Sequence, residues 1–323
     1  MTGRFPAAAV DAGAVAPPRR RRRALRDVAV GKLPAYALLI PAAVVIGAVL
    51  GYPIYYLVRQ SFLHYGLHEL IFHKGTWVGL DNYTTIFHDS EFWHVVGRTL
   101  LFTVVNVALT MALGTLVALL LAQLGSFMRL LLATGLVFVW ATPVVVAVAV
   151  WQWMVDYQFG VLNWTLTKLH FGDFTNHDWF VNPWTGFAII TALVVWGAIP
   201  FVAITLYAGL TQVPRELLDA ASSDGASTWR VFWDVTFPLL KPIFVILTSL
   251  SIIWDFQVFN QVWLMRGTQP EQDYYVMSIY AYIKSFRVND YGLGSAIAVV
   301  MVATMFLVAF VYIRQMVRLG EVE

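Results

Sequence analysis

The residues able to do chemistry fall in three places. Asp255 is the sole charge in an otherwise apolar stretch, residues 242–265; Gln257 and Asn260 are its polar neighbours, and Asn106 lies in another such stretch. An acid in such a setting is costly, so it lines a cavity, pairs or carries function; a structural contact to another helix is the alternative reading. The connection at residues 214–238 gathers Glu216, Asp219 and Asp224 around Ala220, Ala221 and Gly225. Five of the seven histidines fall within residues 59–95, where His64 and His68 stand at i, i+4. That spacing could hold a metal, but the scatter of the five favours ordinary surface residues. There is no cysteine, hence no disulfide, thiolate metal site or cysteine nucleophile. Gly31-Lys32 is followed by Leu33, so the chain lacks a phosphate-cradling Gly-x-x-x-x-Gly-Lys-Ser/Thr loop. No Ser-His-Asp arrangement or metal-protease motif lies in the apolar stretches, which leaves no basis for a membrane enzyme.

These residues need elements to hold them, and composition says which. Of 323 residues, 59% are hydrophobic and 12% charged, where soluble domains carry about 25% charge. Mean hydropathy is +0.69. So few charges exclude a soluble fold, and 15% aromatic content excludes general disorder. Stretches nearly free of Asp, Glu, Lys and Arg cover residues 33–58, 99–128, 130–155, 179–214, 242–265 and 291–313, the fifth interrupted by Asp255. A helix needs about 20 apolar residues to cross a bilayer, whereas barrel strands are short and alternating. The expectation is an all-α, polytopic transmembrane helix bundle of six spans.

An even number of spans leaves both termini on one side. The N-terminal tail, the 2–3 and 4–5 connections and the C-terminal tail hold 14 of the 21 Lys and Arg, with Arg19 to Arg23, Arg26 and Lys32 just before the first span. The positive-inside rule predicts an N-in, C-in arrangement. The first apolar run is too long for a cleaved signal peptide and reads as a retained anchor. Its basic flank fits topology control or anionic-lipid contact better than nucleic-acid binding; no nucleic-acid partner is expected. Residues 1–32 are expected to be a disordered basic cytoplasmic tail. Loops of some length at residues 59–95, 156–180 and 266–290 lie on the opposite side, and tryptophans crowd the boundaries as an interfacial belt would.

The 4–5 connection carries the most specific signal. Pro214 and the early acids suit a helix start, Leu217, Leu218 and Ala221 share a face, and Gly225 offers a turn. The expectation is a short amphipathic helix pair, either docking on a partner or lying on lipid. Asp219-Ala220-Ala221, three residues, Gly225, nine residues, Val235, then Phe237-Pro238 resembles the Glu-Ala-Ala loop of bacterial ATP-binding-cassette importer permeases. The spacing matches throughout, with Asp219 for Glu, Val235 for Ile and Phe237 for Leu. Asp224-Gly225-Ala226-Ser227 further resembles the carbohydrate branch. The likeness covers nearly the whole chain: Val78-Gly79-Leu80-Asp81-Asn82-Tyr83, Pro143 with Trp151-Gln152-Trp153, Phe159-Gly160-Val161-Leu162-Asn163, Trp196 with Pro200-Phe201, and Trp254-Asp255-Phe256 before Asn260 are similar to successive parts of sugar permeases. The C-terminus looks more like the maltose-type first permease subunit.

The resemblance implies a type I importer permease fold over residues 33–323 in the bacterial cytoplasmic membrane. It forms half a pore, with the loop at 214–238 coupling to an ATPase. Glu216, Asp219, Ala220, Ala221, Asp224 and Gly225 would form the coupling site. Trp196, Gly197, Ala198, Phe201, Asp255, Gln257 and Asn260 would line the substrate path, where sugars need donors, acceptors and aromatic faces. Implied partners are a second homologous permease, an ATP-binding-cassette ATPase dimer, an extracytoplasmic sugar-binding protein and the lipid bilayer. No cofactor is expected on this chain; ATP and Mg would be used by the ATPase. The alternative is an ion-coupled secondary transporter, a class that often shows internal repeats; no convincing duplication is present here.

Overall fold

The computed structural model describes residues 39–320, with side chains to residue 314. The expected basic tail at 1–32 lies outside the described residues. Contacts divide the chain between Tyr56 and Leu57. Up to Tyr56 the described residues are helical, belonging to helix α1 (Leu39–Gln60), with Tyr52 and Tyr56 stacked at 6.3 Å.

From Leu57 onward the elements are α2 (Leu67–Phe72), α3 (Asp81–His88), α4 (Ser90–Gln123), α5 (Ser126–Ala141), α6 (Val144–Met154), α7 (Val161–Lys168), α8 (Pro183–Leu210), α9 (Arg215–Ser223), α10 (Thr228–Phe256), α11 (Asn260–Met265), α12 (Met277–Tyr282) and α13 (Tyr291–Gly320). The all-helical expectation needs one small amendment: Leu63–His64 pairs antiparallel with Thr76–Trp77, in register Leu63 with Trp77. Among the described residues α1, α4, α8, α10 and α13 are long and apolar enough to cross a membrane, and α5 with α6 make a sixth candidate.

Local chemistry explains the boundaries. The Asp89 carboxylate accepts from Glu91 N at 3.0 Å and caps α4. At the far end of α4, Arg129 turns back and donates to Leu121 O at 3.0 Å and Leu124 O at 2.6 Å, satisfying terminal carbonyls of the helix. Asn182 caps α8 by accepting from Trp184 N at 2.9 Å, with Pro183 in the first turn.

Two expected spans are corrected. The apolar run at 130–155 is not one straight helix: α5 and α6 meet at a 100° bend. Pro143 forces the residue before it out of the helical region, and Thr142 sits at φ −69°, ψ 122°. The run at 242–265 also breaks, because α10 starts earlier, at Thr228, and stops at Phe256. Asp255 thus lies in the last turn of α10. Ahead of Pro238, residues Phe232–Thr236 wind as a π-turn; the proline lacks a donor and its ring crowds the carbonyl four residues back, which a wider turn relieves.

The chief packing is α4 on α8. Gly114 allows it: a Cβ there would stand 2.8 Å from Val202 Cβ. Ala118, Val202, Leu206 and Leu247 form a buried cluster beside that contact. A larger cluster joins Phe102, Ile190, Leu193, Val262 and Ile279, and a third gathers Ile86, Phe92, Val95, Phe256, Met277 and Ile297. Together they fix α4, α8, α10 and α13 around the candidate site.

Candidate functional site

The connection between α8 and α10 is built as a helix with a defined stop. Glu216, Asp219, Ala220 and Asp224 are exposed, while Leu218 and Ala221 are half-buried. Leu217 of the expected shared face is exposed. At the end of α9, Gly225 N donates to Ser222 O at 3.1 Å and Ala226 N to Ala221 O at 3.0 Å. These are the paired bonds of a Schellman stop, which needs a left-handed residue between them. Gly225 supplies it at φ +79°. Ser227 then caps α10, its hydroxyl accepting from Arg230 N at 3.4 Å. The spacing of Ala221 and Gly225 is therefore the spacing of a last helical turn and its stop. The expected helix pair is present as α9 and the head of α10.

From this loop a run of aromatic rings leads into the span. Trp229 meets Trp233 at 5.6 Å, Trp233 meets Phe237 at 5.0 Å, and Phe237 meets Phe244 at 5.0 Å, measured between ring centroids. They form one wall of an apolar cavity of about 630 Å³ whose other wall is α4, at Met111, Leu116 and Leu119. Sequence reasoning did not single these rings out, although the spacing of 229, 233 and 237 carried the signal.

The expected path residues divide. Trp196 is half-buried, 6.2 Å from Trp151 between ring centroids, and lines a cavity of about 1040 Å³ between α4 and α8 with Trp93, Arg98, Trp184 and Phe187. Gly197, Ala198 and Phe201 are half-buried on the same helix but outside that lining. Phe201 meets Trp254 edge-on at 5.2 Å, which joins α8 to the end of α10. Asp255 is 5% exposed, with Oδ2 buried and unpaired. Gln257 and Asn260 are exposed beyond the helix end.

Polar contacts brace the end of the bundle where α4 and α8 begin. Arg266 donates Nε to Glu271 Oε2 at 2.9 Å, and its guanidinium lies 4.9 Å from the Phe180 ring and 4.6 Å from that of Tyr274. The bond from Arg266 holds the Glu271 carboxyl below its usual range. Tyr274 donates to Phe180 O at 2.9 Å, and burial pushes its phenol up to about 12. Tyr280 donates to Asp89 Oδ2 at 2.6 Å, and this bond, with Glu91 N and nearby Lys284, holds Asp89 below its usual range.

Comparison with known proteins follows the same architecture. The family described as binding-protein-dependent transport system inner membrane component matches residues 111–319. The chain is 41% identical over 293 residues to the diacetylchitobiose uptake system permease protein DasB of Streptomyces coelicolor, covering 91% of this chain and 89% of that protein. It is 35% identical over 285 residues to the sulfoquinovosyl glycerol transport system permease protein SmoG of Agrobacterium fabrum, covering 88% and 90%. The trehalose/maltose transport system permease protein MalF of Thermococcus litoralis is 32% identical over 237 residues, covering 73% and 79%. In fold, the chain matches the crystal structure of a bacterial ABC transporter involved in alginate import, with TM-score 0.76, 19% identity and coverage of 92% and 99%. The ion-driven carrier weighed as an alternative finds no support among these relatives. The chain belongs to the binding-protein-dependent transport system inner membrane components, a family of transport permeases and not of catalytic enzymes.

Proposed function

We propose that this chain is one of two permease subunits of an ATP-driven sugar importer and that the α8–α10 connection is its coupling element. Both termini and that connection face the cytoplasm. Glu216, Asp219, Ala220, Ala221, Asp224 and Gly225 seat α9 in a groove of an ATP-binding-cassette ATPase subunit, where ATP and Mg are used. A second permease completes the pore, and an extracytoplasmic binding protein delivers the sugar. The observation carrying this reading is α9 itself: a short exposed helix with its acids outward, closed at Gly225 and capped directly into α10. Motion of the ATPase then reaches α10 through one rigid turn, and the two states of the pore are biased from that side.

The sugar passes along the wall made by Trp196, Gly197, Ala198 and Phe201 of α8 with Gln257 and Asn260, and Asp255 stands behind that wall. Aromatic faces and neutral polar groups suit an uncharged oligosaccharide. Likeness to the diacetylchitobiose permease makes an N-acetylated disaccharide the first candidate. The test is the assembled transporter, purified with its binding protein and assayed for ATP hydrolysis with a panel including diacetylchitobiose, maltose and trehalose. One sugar should stimulate hydrolysis severalfold. Uptake that persists after ATP depletion with the membrane potential intact would refute the reading.

A further inference from the structure

The cavity of about 1040 Å³ between α4 and α8 is charged at one end and apolar along most of the rest. Its three ionisable lining residues, His94, Arg98 and Asp273, stand where α4 and α8 begin, beside Trp93 and Trp184. Gly97 leaves the wall there bare, with nothing near the place of a Cβ. From Arg98 the groove follows α4 past Leu101, Val105 and Leu109 to Leu113, all four exposed. That is about 22 Å along the helix axis, and the hydrocarbon of one leaflet is about 15 Å deep. On α8 the lining includes Ala188, nine residues before Gly197, which is half a turn round the helix. The groove therefore lies on the side of α8 turned away from Gly197, and of the path residues on that helix only Trp196 reaches it.

The charged end is not closed on itself. Arg98 Nη1 donates to Gln272 O at 3.0 Å and to Tyr275 O at 2.8 Å, which brings Asp273 to the same place. Nε and Nη2 have no hydrogen-bond partner among the described residues. The charges of Glu91 and Asp273 both reach the guanidinium, yet among the described residues neither forms an ion pair with it. Free guanidinium N–H groups suit phosphate oxygens. The exposed Asp273 carboxylate nearby suits an ammonium group, which has three N–H donors where a trimethylammonium has none. Two carboxylates against one guanidinium disfavour a headgroup with net negative charge. Charge and indole at one end of a long exposed apolar face match the profile of a zwitterionic phospholipid. A sugar would find little beyond Thr191 and the Trp196 indole to bond below that end.

We propose that this groove binds one phosphatidylethanolamine molecule. Its phosphate sits on Arg98, its ammonium on Asp273, and one acyl chain follows Leu101, Val105 and Leu109. The lipid fills the side of α8 opposite the proposed sugar path and supports that wall from behind.

The test is native mass spectrometry of the assembled transporter released from nanodiscs holding equal parts of phosphatidylethanolamine, phosphatidylcholine and phosphatidylglycerol with the same acyl chains. Phosphatidylethanolamine should be retained about tenfold over each of the others. Asp273→Asn changes an exposed side chain with no hydrogen bond among the described residues, and it should erase the preference over phosphatidylcholine. Arg98→Gln should lower retention of both lipids about tenfold. If the loss of its bonds to the loop keeps that variant from assembling, Asp273→Asn carries the test. p-Benzoylphenylalanine at position 109 should attach a single phospholipid on illumination. Equal retention of the three lipids, or a preference unchanged by Asp273→Asn, would overturn the proposal. A cross-link from position 109 to the second permease would overturn it too, making the groove a subunit interface. Neither sugar nor ATP enters the assay, so its outcome is independent of the transport reading.

Discussion

The amide of Ala226 donates to the carbonyl of Ala221 at 3.0 Å, and this bond closes α9 over Gly225. It sets the angle at which the exposed acids of α9 stand relative to α10. Substitutions that leave the spans untouched but disturb this closure should separate membrane insertion from transport.

Gly225 holds φ +79° and donates its N–H to Ser222 O at 3.1 Å. Gly225→Ala should weaken the stop by about 1 kcal/mol and lower the rate of uptake while leaving expression normal. Gly225→Pro can adopt neither the angle nor the bond, so uptake should vanish with membrane insertion intact. Whole-cell uptake beside quantification of the membrane-embedded protein reads both. Normal coupled uptake in the proline variant would remove the turn from the coupling machinery.

Ala221 is half-buried on the face of α9 that it shares with Leu218. Ala221→Arg should abolish sugar-stimulated ATP hydrolysis while the purified permease still inserts. The measurement is co-purification of the ATPase together with its turnover; full stimulation in this variant would count against α9 as the contact.

Gly114 faces Val202 so closely that an added Cβ would stand 2.5 Å from Val202 Cγ1. Gly114→Ala should destabilise the packing of α4 on α8 by about 1–3 kcal/mol, seen as a lower thermal midpoint of the assembled transporter. The double variant Gly114→Ala with Val202→Ala should recover part of the loss, which separates crowding from helix propensity.

Asp89 accepts from Tyr280 at 2.6 Å, and this bond depresses its carboxyl below 3.8. A depressed carboxyl contributes stability above its unfolded pKa, and that contribution is lost as pH falls through the folded value. Tyr280→Phe should therefore be less stable than the native protein at pH 7, with the gap narrowing once the pH drops below 3.8. Thermal midpoints at pH 7 and pH 3 measure it; a gap that stays constant would assign the effect to packing alone.

The helices α4, α8 and α13 were legible because long charge-free runs leave little else to form in a bilayer. The elbow at Pro143 was not, although the proline was in plain view: hydropathy counts apolar side chains and does not register that Thr142 is pushed out of the helical region. The start of α10 was hidden for the opposite reason. Arg230, Asp234 and Lys241 lie on the helix, so a criterion of no charges began the span at residue 242. Among the site residues, Gly225 could be read because only a backbone requirement explains a glycine there. Trp196 and Phe201 depended on resemblance, since nothing in the spacing of an all-round apolar helix tells one face from another.

The π-turn at Phe232–Thr236 has a genetic consequence. A π-turn is one residue more than an α-helix needs to span the same height, so this stretch amounts to an insertion accommodated inside a continuous helix. Deleting one residue there would restore ordinary winding and leave Trp229 and Leu240 in their present phase. The same deletion one turn to either side of the bulge would rotate everything beyond it by about 100°. Along α10, tolerance to a lost codon should accordingly be confined to this single turn.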